Sequence, residues 1–386
     1  MPLKLLMEAK DVQSHDGDRI SRLRDDIILA ILEKVSICTV IRTSILSTRW
    51  RHLPLLLSHI YLEAEDFMPQ NTEVADFRLI DEAMSALVGL LCSFLDASTT
   101  ESTIRTLSLR VGLIADRLCD IGKLVCSAID SGKLKNLELE IPTVKDPLES
   151  DDKDRQEHAQ SLICLFESYP RMFCYLTKLD LYNASFRETD MLHLLNSCEQ
   201  LQNLILNECD TGIWIEPEGE ELRNSFRALR KLFLHGIYVE FDLLWTLLLL
   251  EAAPSIQIFG IQIWDHTCGE NNRALYSERT IGAWDAKKLG GSTACLQLKA
   301  LEMRGFKQVK EHLDFIRAVM ERAPNLETLL LEGKEYCKGC EATDYSVCSS
   351  LMSMFPMNKD EEDIVVKQIR ADGLNHPVRI IFRRPL

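Results

Sequence analysis

The chain has 386 residues, of which 46% are hydrophobic and 27% are charged. This composition is that of a folded globular protein, and it excludes a chain that is disordered throughout. The charge sums to −15, from 44 Lys and Arg residues against 59 Asp and Glu residues. A nucleic-acid backbone or an anionic membrane surface would therefore repel the molecule as a whole.

The first 17 residues show no hydrophobic periodicity and are predicted to form a flexible lead. Their apolar patch is interrupted by Lys4 and Glu8 and is too short for a secretory signal. The run from Leu243 to Leu250 is apolar except for Thr246 and has eight residues, whereas a membrane span needs about 20. Thirteen cysteines without an export signal are typical of a reducing compartment, so we expect a protein of the cytoplasm, the nucleus or both.

Residues 18–54 show the pattern of three short helices. Apolar residues at helical spacing from Ile27 to Val35 predict the first helix, and the second is expected around Thr39 to Leu46. Residues 19 to 53 carry seven basic and three acidic side chains, a local charge of +4 that leaves −19 for the rest of the chain. A basic unit with more apolar surface than it can bury predicts docking on an acidic protein surface. The alternative is a helical cap on the following domain.

Two runs in this segment resemble the F-box of plant F-box/leucine-rich-repeat proteins. The first is DRISRLRDDIILAIL, beginning at Asp18, and the second is RTSILSTRWRHL, beginning at Arg42. The resemblance implies a motif that binds a Skp-type adaptor and so couples the chain to a cullin-based ubiquitin ligase. It also implies nine adaptor contacts, which are Leu23, Ile28, Ile31, Leu32, Val35, Leu46, Arg49, Trp50 and Leu53.

The sequence departs from this family at two helix starts, where Leu-Pro is usual. Arg24 and Ser36 stand in place of the two prolines. Proline presets the backbone at a helix start, so its loss loosens the turn without abolishing the helix. A buried unpaired guanidinium is costly, so Arg24 is expected to reach solvent or an acidic partner.

After residue 54 the chain repeats the leucine-rich-repeat strand template L-x-x-L-x-L-x-x-N/C. A degenerate ninth match at Leu57 is expected to form the first strand. Most of the spacings between starts lie between 25 and 30 residues, which is near the period of this repeat. The eight clearer matches begin at Ile104, Leu134, Leu176, Leu201, Leu229, Ile256, Leu298 and Leu326.

The predicted fold class is α/β, with an N-terminal three-helix F-box followed by a leucine-rich-repeat solenoid, a curved parallel sheet with outer helices. The solenoid is expected over residues 55–340, with insertions at about 142–158 and 265–296. The first insertion is predicted to be a solvated loop, and the second could fold over the concave surface. Residues 341–386 are predicted to cap the solenoid, with Ile364 to Ile369 pairing as a strand with Val378 to Phe382.

Alternate strand residues should point away from the core onto the concave face, because strand side chains have a period of two. Exposed aromatic residues flanked by charges are typical of binding hot spots. The alternative is that they pack against a neighbouring segment. The candidate target-binding residues on this face are Lys178, Tyr182, Lys231, Phe233, His235 and Arg304.

Catalytic and metal motifs are weak. Cys337 and Cys340 have the spacing of half a zinc site and Cys348 could be a third ligand, but no second half follows. No nucleophile elbow, H-E-x-x-H or phosphate-binding loop is present. We therefore expect no metal, no cofactor and no active site in this chain.

The sequence thus predicts a non-catalytic, substrate-recruiting subunit of a Skp-cullin-F-box ubiquitin ligase, whose target protein is unknown. Neither nucleic acid nor a membrane is an expected partner. Two alternatives stay open. One is a repeat scaffold whose F-box no longer binds an adaptor, and the other is a small-molecule receptor with a pocket between the repeats and the 265–296 insertion.

Overall fold

The structure is a computed structural model that describes residues 20, 22–45, 48–69, 77–96, 102–143, 150–187, 189–210, 220–238, 242–264, 295–334, 355–371 and 376–384. The described residues divide into two compact units. Unit 1 comprises those of Met1–Phe186 and Ser197–Gln200, and unit 2 comprises those of Arg187–Asn196 and Leu201–Leu386.

Unit 1 begins with the short helices that the N-terminal pattern predicts. In the first turn of the first helix, Asp25 and Asp26 place carboxylates where they complement the helix dipole. At the start of the second, the Ser36 hydroxyl accepts a hydrogen bond from Thr39 N at 3.4 Å, which caps the helix. These elements are α1 (Asp25–Leu32), α2 (Ile37–Thr43), α3 (Thr48–His52) and a 3₁₀ helix (Leu53–Leu56).

The remainder of unit 1 alternates strands and helices. Each strand pairs in parallel with the next one along the chain. The degenerate repeat match after the N-terminal helices forms the first strand, as predicted. The elements are β1 (His59–Glu63), a 3₁₀ helix (Ala64–Phe67), α4 (Phe77–Leu95), β2 (Ile104–Arg110), α5 (Ala115–Asp130), β3 (Leu134–Ile141), α6 (Asp152–Ser168), α7 (Pro170–Cys174) and β4 (Leu176–Tyr182).

Unit 2 continues the same alternation. From its first strand to its last, each strand again pairs in parallel with its successor. The elements are α8 (Asp190–Ser197, of which Ser197 belongs to unit 1), β5 (Asn203–Asn207), α9 (Glu220–Ser225), β6 (Lys231–Tyr238), a 3₁₀ helix (Leu243–Trp245), α10 (Thr246–Ala252), β7 (Ile258–Trp264), β8 (Ala300–Arg304), α11 (Lys310–Arg322), β9 (Thr328–Glu332), α12 (Lys359–Ile369) and β10 (Arg379–Arg383).

Burial alternates along the strands as the repeat template predicts. In β3, Leu137 and Leu139 are buried in the core, whereas Glu138 and Glu140 are half-buried on the opposite face. The parallel strands and intervening helices within each unit are compatible with a leucine-rich-repeat arrangement, and the predicted α/β fold class is confirmed.

A left-handed residue recurs at the same template position in four of the repeats. Asn183, Glu208, Gly236 and Gly305 all have positive φ, between 47° and 77°. Each lies seven residues after a template start, at Leu176, Leu201, Leu229 and Leu298 respectively. The position directly follows β4, β5 and β8, and in β6 it lies where the register with β7 shifts. Glycine occupies such a left-handed position at least cost.

The prediction that Ile364 to Ile369 form a strand is wrong. These residues belong to α12, and β10 instead pairs in parallel with β9. The β-branched run suggested a strand, but Asn358 caps a helix by accepting from Glu361 N at 3.0 Å. Lys359 then pairs with acidic side chains three and four residues on, and burial at helical spacing supports the same helix.

The prediction of a solvated loop over 142–158 is also wrong in part. Asp151 and Asp154 form a reciprocal capping box that starts α6 at Asp152. Residues 265–294, most of the second predicted insertion, lie outside the described residues, as do Cys337, Cys340 and Cys348. Among the helices described, none is long and apolar enough to cross a membrane.

Candidate protein-docking surfaces

The nine residues predicted to contact an adaptor differ in burial. Four of them, Ile28, Leu32, Trp50 and Leu53, are at most 5% exposed and pack inside the N-terminal helical unit. We assign these four to internal packing, because a buried side chain cannot meet a partner without rearrangement. Leu46 lies outside the described residues, and Leu23 is half-buried.

Two of the other predicted contacts, Ile31 and Val35, are exposed apolar residues of the N-terminal segment. Ile31 and Val35 are 43% and 41% exposed, and Ile27, four residues before Ile31, is 45% exposed. Residues spaced by four lie on one side of a helix. Of the nine large hydrophobic side chains that are exposed in the described part of the chain, six lie between residues 20 and 56. They are Ile20, Ile27, Ile31, Val35, Ile45 and Leu56.

The two positions that lack proline keep the backbone that proline would impose. Arg24 has φ −67° and Ser36 has φ −59°, and both values lie within the range that proline fixes. The Arg24 side chain is 82% exposed and pairs with Asp26 at 3.2 Å. The expectation that Arg24 reaches solvent is thus confirmed, and both helix starts are formed without proline.

Side-chain contacts join the N-terminal helices to the first strand of unit 1. Ser58 donates to Glu33 Oε1 through its hydroxyl at 2.9 Å and through its backbone N at 3.3 Å. Partial burial alone would raise the pKa of Glu33, but hydrogen bonds from Ser58 and His59 lower it below its usual value. Cys38 Sγ also lies 3.4 Å from the Asp66 carbonyl. The helices are therefore held on the strands rather than tethered by a linker.

Arg110 on β2 lies at the centre of a polar network on the outward side of the unit 1 strands. Its guanidinium pairs with Glu140 on β3 and lies 5.9 Å from the centroid of the Tyr182 ring. Tyr182 donates to Glu140 Oε1 at 3.3 Å, and burial raises its pKa, so the phenol keeps its proton. Lys178 pairs with the buried Asp180 at 3.8 Å. Of the candidate target-binding residues, Tyr182 thus lies in this network and Lys178 in a separate ion pair, and both are half-buried.

Phe233 on β6 of unit 2 lies against Gly260, its register partner on β7. A Cβ at position 260 would come closer than 3.0 Å to two carbons of the Phe233 ring, so this position favours glycine. The rings of Phe233 and His235 meet edge to face, with centroids 6.1 Å apart. His235 Nδ1 lies 2.7 Å from Asn207 Oδ1, and burial, helped by the charge of Arg304, lowers the pKa of His235 to about 4.

The remaining candidate target-binding residues also lie on unit 2. Lys231 is exposed at the start of β6. Arg304 Nε on β8 lies 3.6 Å from Oε2 of Glu332, its register partner on β9. Four of the six candidates therefore belong to unit 2, and a target-binding role for all six stays a prediction.

Comparison with known families and proteins tests the resemblance at the N-terminus. Residues 20–56 match the F-box domain. The N-terminal helices are thus similar to an F-box domain. An FBD-associated F-box protein of Arabidopsis thaliana is 36% identical to it over 84 residues, which cover 22% of this chain and 15% of that relative. Both findings support the resemblance of the N-terminal segment to an F-box, and the chain spans a small part of the length of the relative that it matches.

Some surface residues of the F-box were missed by the sequence reasoning. Ile20, Ile27, Ile45 and Leu56 are exposed apolar residues that were not among the predicted contacts. For Ile27 a signal was present, because it precedes Ile31 by four residues. In the described part of the chain, no group of three or more His, Cys, Asp and Glu residues could hold a metal ion.

Arg49 fastens the F-box helices to one another. Its Nε and Nη2 donate to Asp25 Oδ1 at 2.8 and 2.5 Å, and Nη2 also donates to the Leu23 carbonyl at 2.5 Å. These bonds join α3 to the start of α1. Arg49 is one of the nine predicted adaptor contacts, and in this structure it bonds to the start of α1, which carries Ile27 and Ile31.

We expect Arg49→Ala to lower the free energy of unfolding of unit 1 by about 1 kcal/mol, because it removes charge-assisted bonds at an exposed site. Arg49→Lys should recover part of the loss, since an ammonium cannot reproduce the planar fork of donors. Hydrogen exchange at the amides of α1 measures the effect. Arg42→Ala, which removes an exposed arginine from α2, is the control, and equal protection in both alanine variants would contradict the prediction.

Proposed function

We propose that this protein is the substrate-recruiting subunit of a Skp-cullin-F-box ubiquitin ligase. The observation that carries the proposal is the concentration of exposed apolar side chains within the F-box, at Ile27, Ile31 and Val35 above all. Apolar side chains at the centre of an interface supply affinity, and basic residues around them steer an acidic partner into place. Such a surface suits a Skp-type adaptor, and the compartment proposed is the cytoplasm, the nucleus or both.

The repeats would then hold a target protein, and the chemistry of ubiquitin transfer would belong to other subunits. The contacts from Ser58 to Glu33 support this division, because they fix the F-box on the first strand of unit 1. A target bound by the chain that also binds the adaptor has a raised effective concentration at the transfer machinery. The proposed target-binding side chains are Lys178, Tyr182, Lys231, Phe233, His235 and Arg304.

The test is binding of the full chain to a purified plant Skp-type adaptor, measured by biolayer interferometry. Ile31→Glu combined with Val35→Glu should weaken binding by more than roughly tenfold, because two carboxylates replace apolar contacts in the interface. The matched control is Met357→Glu combined with Ile364→Glu, which changes two exposed apolar residues of unit 2. The control should bind like the wild type.

Failure of the folded wild-type chain to bind would overturn the proposal. The variant Arg24→Pro combined with Ser36→Pro then distinguishes a weakened F-box from an unrelated function. Proline should be tolerated there, because the backbone at both positions already has the φ angle of proline. Binding gained by this variant would identify a repeat scaffold whose F-box has lost its affinity for an adaptor.

A further inference from the structure

Among the strands that the structure describes, the last strand of unit 2 pairs with β9 alone and leaves its other edge open. Arg379 N donates to the Glu327 carbonyl at 3.0 Å, and the Arg383 carbonyl accepts from Gly333 N at 3.4 Å. Successive residues of a strand direct their backbone N–H and C=O groups to opposite sides. The N–H and C=O groups of Ile380 and Phe382 therefore point away from β9. Since β9 is the one strand beside β10 in the described part of the chain, the N–H and C=O groups of Ile380 and Phe382 face no described strand.

The side chains of β10 divide between the two faces of the sheet. Ile380 and Phe382 lie on the core side, where Phe382 packs against Phe355 with ring centroids 6.3 Å apart. The opposite face carries a half-buried Ile381 between the exposed Arg379 and Arg383. In the described part of the chain, neither of these two arginines has an ion-pair partner within 4.0 Å. The open edge is thus apolar in its middle and positive at both ends.

Charge decides what can pair with this edge. A second copy of β10 in antiparallel register would bring Arg379 opposite Arg383 of the other copy, and parallel pairing would also align like charges. Like charges directly opposite one another are destabilising between strands. Basic residues on an edge strand are also a known protection against indiscriminate pairing. The strand that remains compatible with this edge carries acidic residues at both ends.

We propose that β10 is a docking site for an extended acidic peptide of a partner protein, which adds to unit 2 as a further strand. Its backbone would bond to the N–H and C=O groups of Ile380 and Phe382. Its carboxylates, four residues apart, would lie beside Arg379 and Arg383, with a β-branched residue between them beside Ile381. This site is independent of adaptor binding by the F-box.

Fluorescence anisotropy with the full chain tests the proposal, using a labelled peptide of sequence Gly-Glu-Val-Thr-Val-Glu-Gly. A second peptide carries lysine in place of both glutamates and should bind at least roughly tenfold more weakly. Arg379→Glu combined with Arg383→Glu should reverse this preference. Arg223→Glu combined with Arg227→Glu, the same charge change at exposed sites of unit 2, should leave it unchanged.

Two N-methylated peptides distinguish strand addition from simple ion pairing. Methyl groups on alternate amides block one edge of an extended peptide, so only one of the two alternate sets should abolish binding. Ile380→Pro should also abolish it, because it removes an N–H that points away from β9 and none that bonds to it.

Three results would overturn the proposal. They are equal binding of the glutamate and lysine peptides, an unchanged preference in the charge-reversed β10 variant, and equal binding of both N-methylated peptides. Sedimentation tests whether a second copy of this chain occupies the edge, because it measures the oligomeric state. A wild-type dimer that Ile380→Pro dissociates would assign the edge to a second copy of this chain instead.

Discussion

Lowering the pH from 7 to 5 is expected to reduce the free energy of unfolding by about 2 kcal/mol for each of two histidines, His158 and His235. Burial lowers the pKa of both imidazoles to about 4. His158 Nε2 is buried without a hydrogen-bond partner among the described residues, so a proton there would bring an unpaired charge into the interior of unit 1. At His235, the positive charge of Arg304 opposes a second cation.

The direction of the effect follows from proton binding. In the folded protein both pKa values lie below the ordinary value of 6.5, so between pH 6.5 and 4 the unfolded chain binds more protons than the folded one. The stabilisation is therefore fully present above pH 6.5 and is lost as the pH falls toward 4. A shift of this size corresponds to a limit of about 3 kcal/mol for each histidine.

Thermal unfolding of His158→Gln and His235→Gln between pH 7 and 5 measures the effect. Glutamine does not titrate, so each variant should lose less stability than the wild type over this range, whatever its stability at pH 7. Because the two histidines lie in different units, the variants also report on each unit separately. His52→Gln, at an exposed position, is the control. Wild-type pH dependence in both buried-site variants would show that neither imidazole is held neutral.

Much of the repeat architecture was predictable because it is encoded within single strands. The template places leucines at positions that face the core, so Leu134, Leu137 and Leu139 mark β3 without any knowledge of its neighbours. Helix α12 was not predictable in this way. Its Ile364, Val365 and Val366 suit a strand. The hydrogen bond that starts the helix instead is made by the polar side chain of Asn358, which a search for apolar patterns does not detect.

The outward face was predictable in position but not in its contacts. Alternation placed Phe233 and His235 on that face, yet which side chain lies beside each depends on the register of the next strand. The loops that set this register vary in length, so the pairing of Phe233 with Gly260 appears only in the structure. A glycine inside a strand pattern was the available signal, because it indicates close approach of another group.

Replacing Gly260 with alanine is expected to lower the free energy of unfolding of unit 2 by about 1 to 3 kcal/mol. The new Cβ would lie closer than 3.0 Å to the ring of Phe233, which belongs to β6. The ring must therefore move away from residue 260, or β6 and β7 must separate. Chemical denaturation of the full chain measures the loss. Gly89→Ala is the control, because a Cβ on this exposed residue of α4 would meet no atom within 4 Å. It should stabilise the protein by up to about 1 kcal/mol, since alanine favours a helix.

A double-mutant cycle shows whether the cost at Gly260 comes from the Phe233 ring. In a Phe233→Ala background the clash is absent, so Gly260→Ala should cost about 1 kcal/mol or less there. The difference between the two backgrounds is the coupling between ring and glycine. An equal cost in both would place the strain in the backbone of β7 instead. Strong coupling would mean that Gly260 fixes the orientation of Phe233, and that Gly260→Ala would weaken target binding if Phe233 contacts the target.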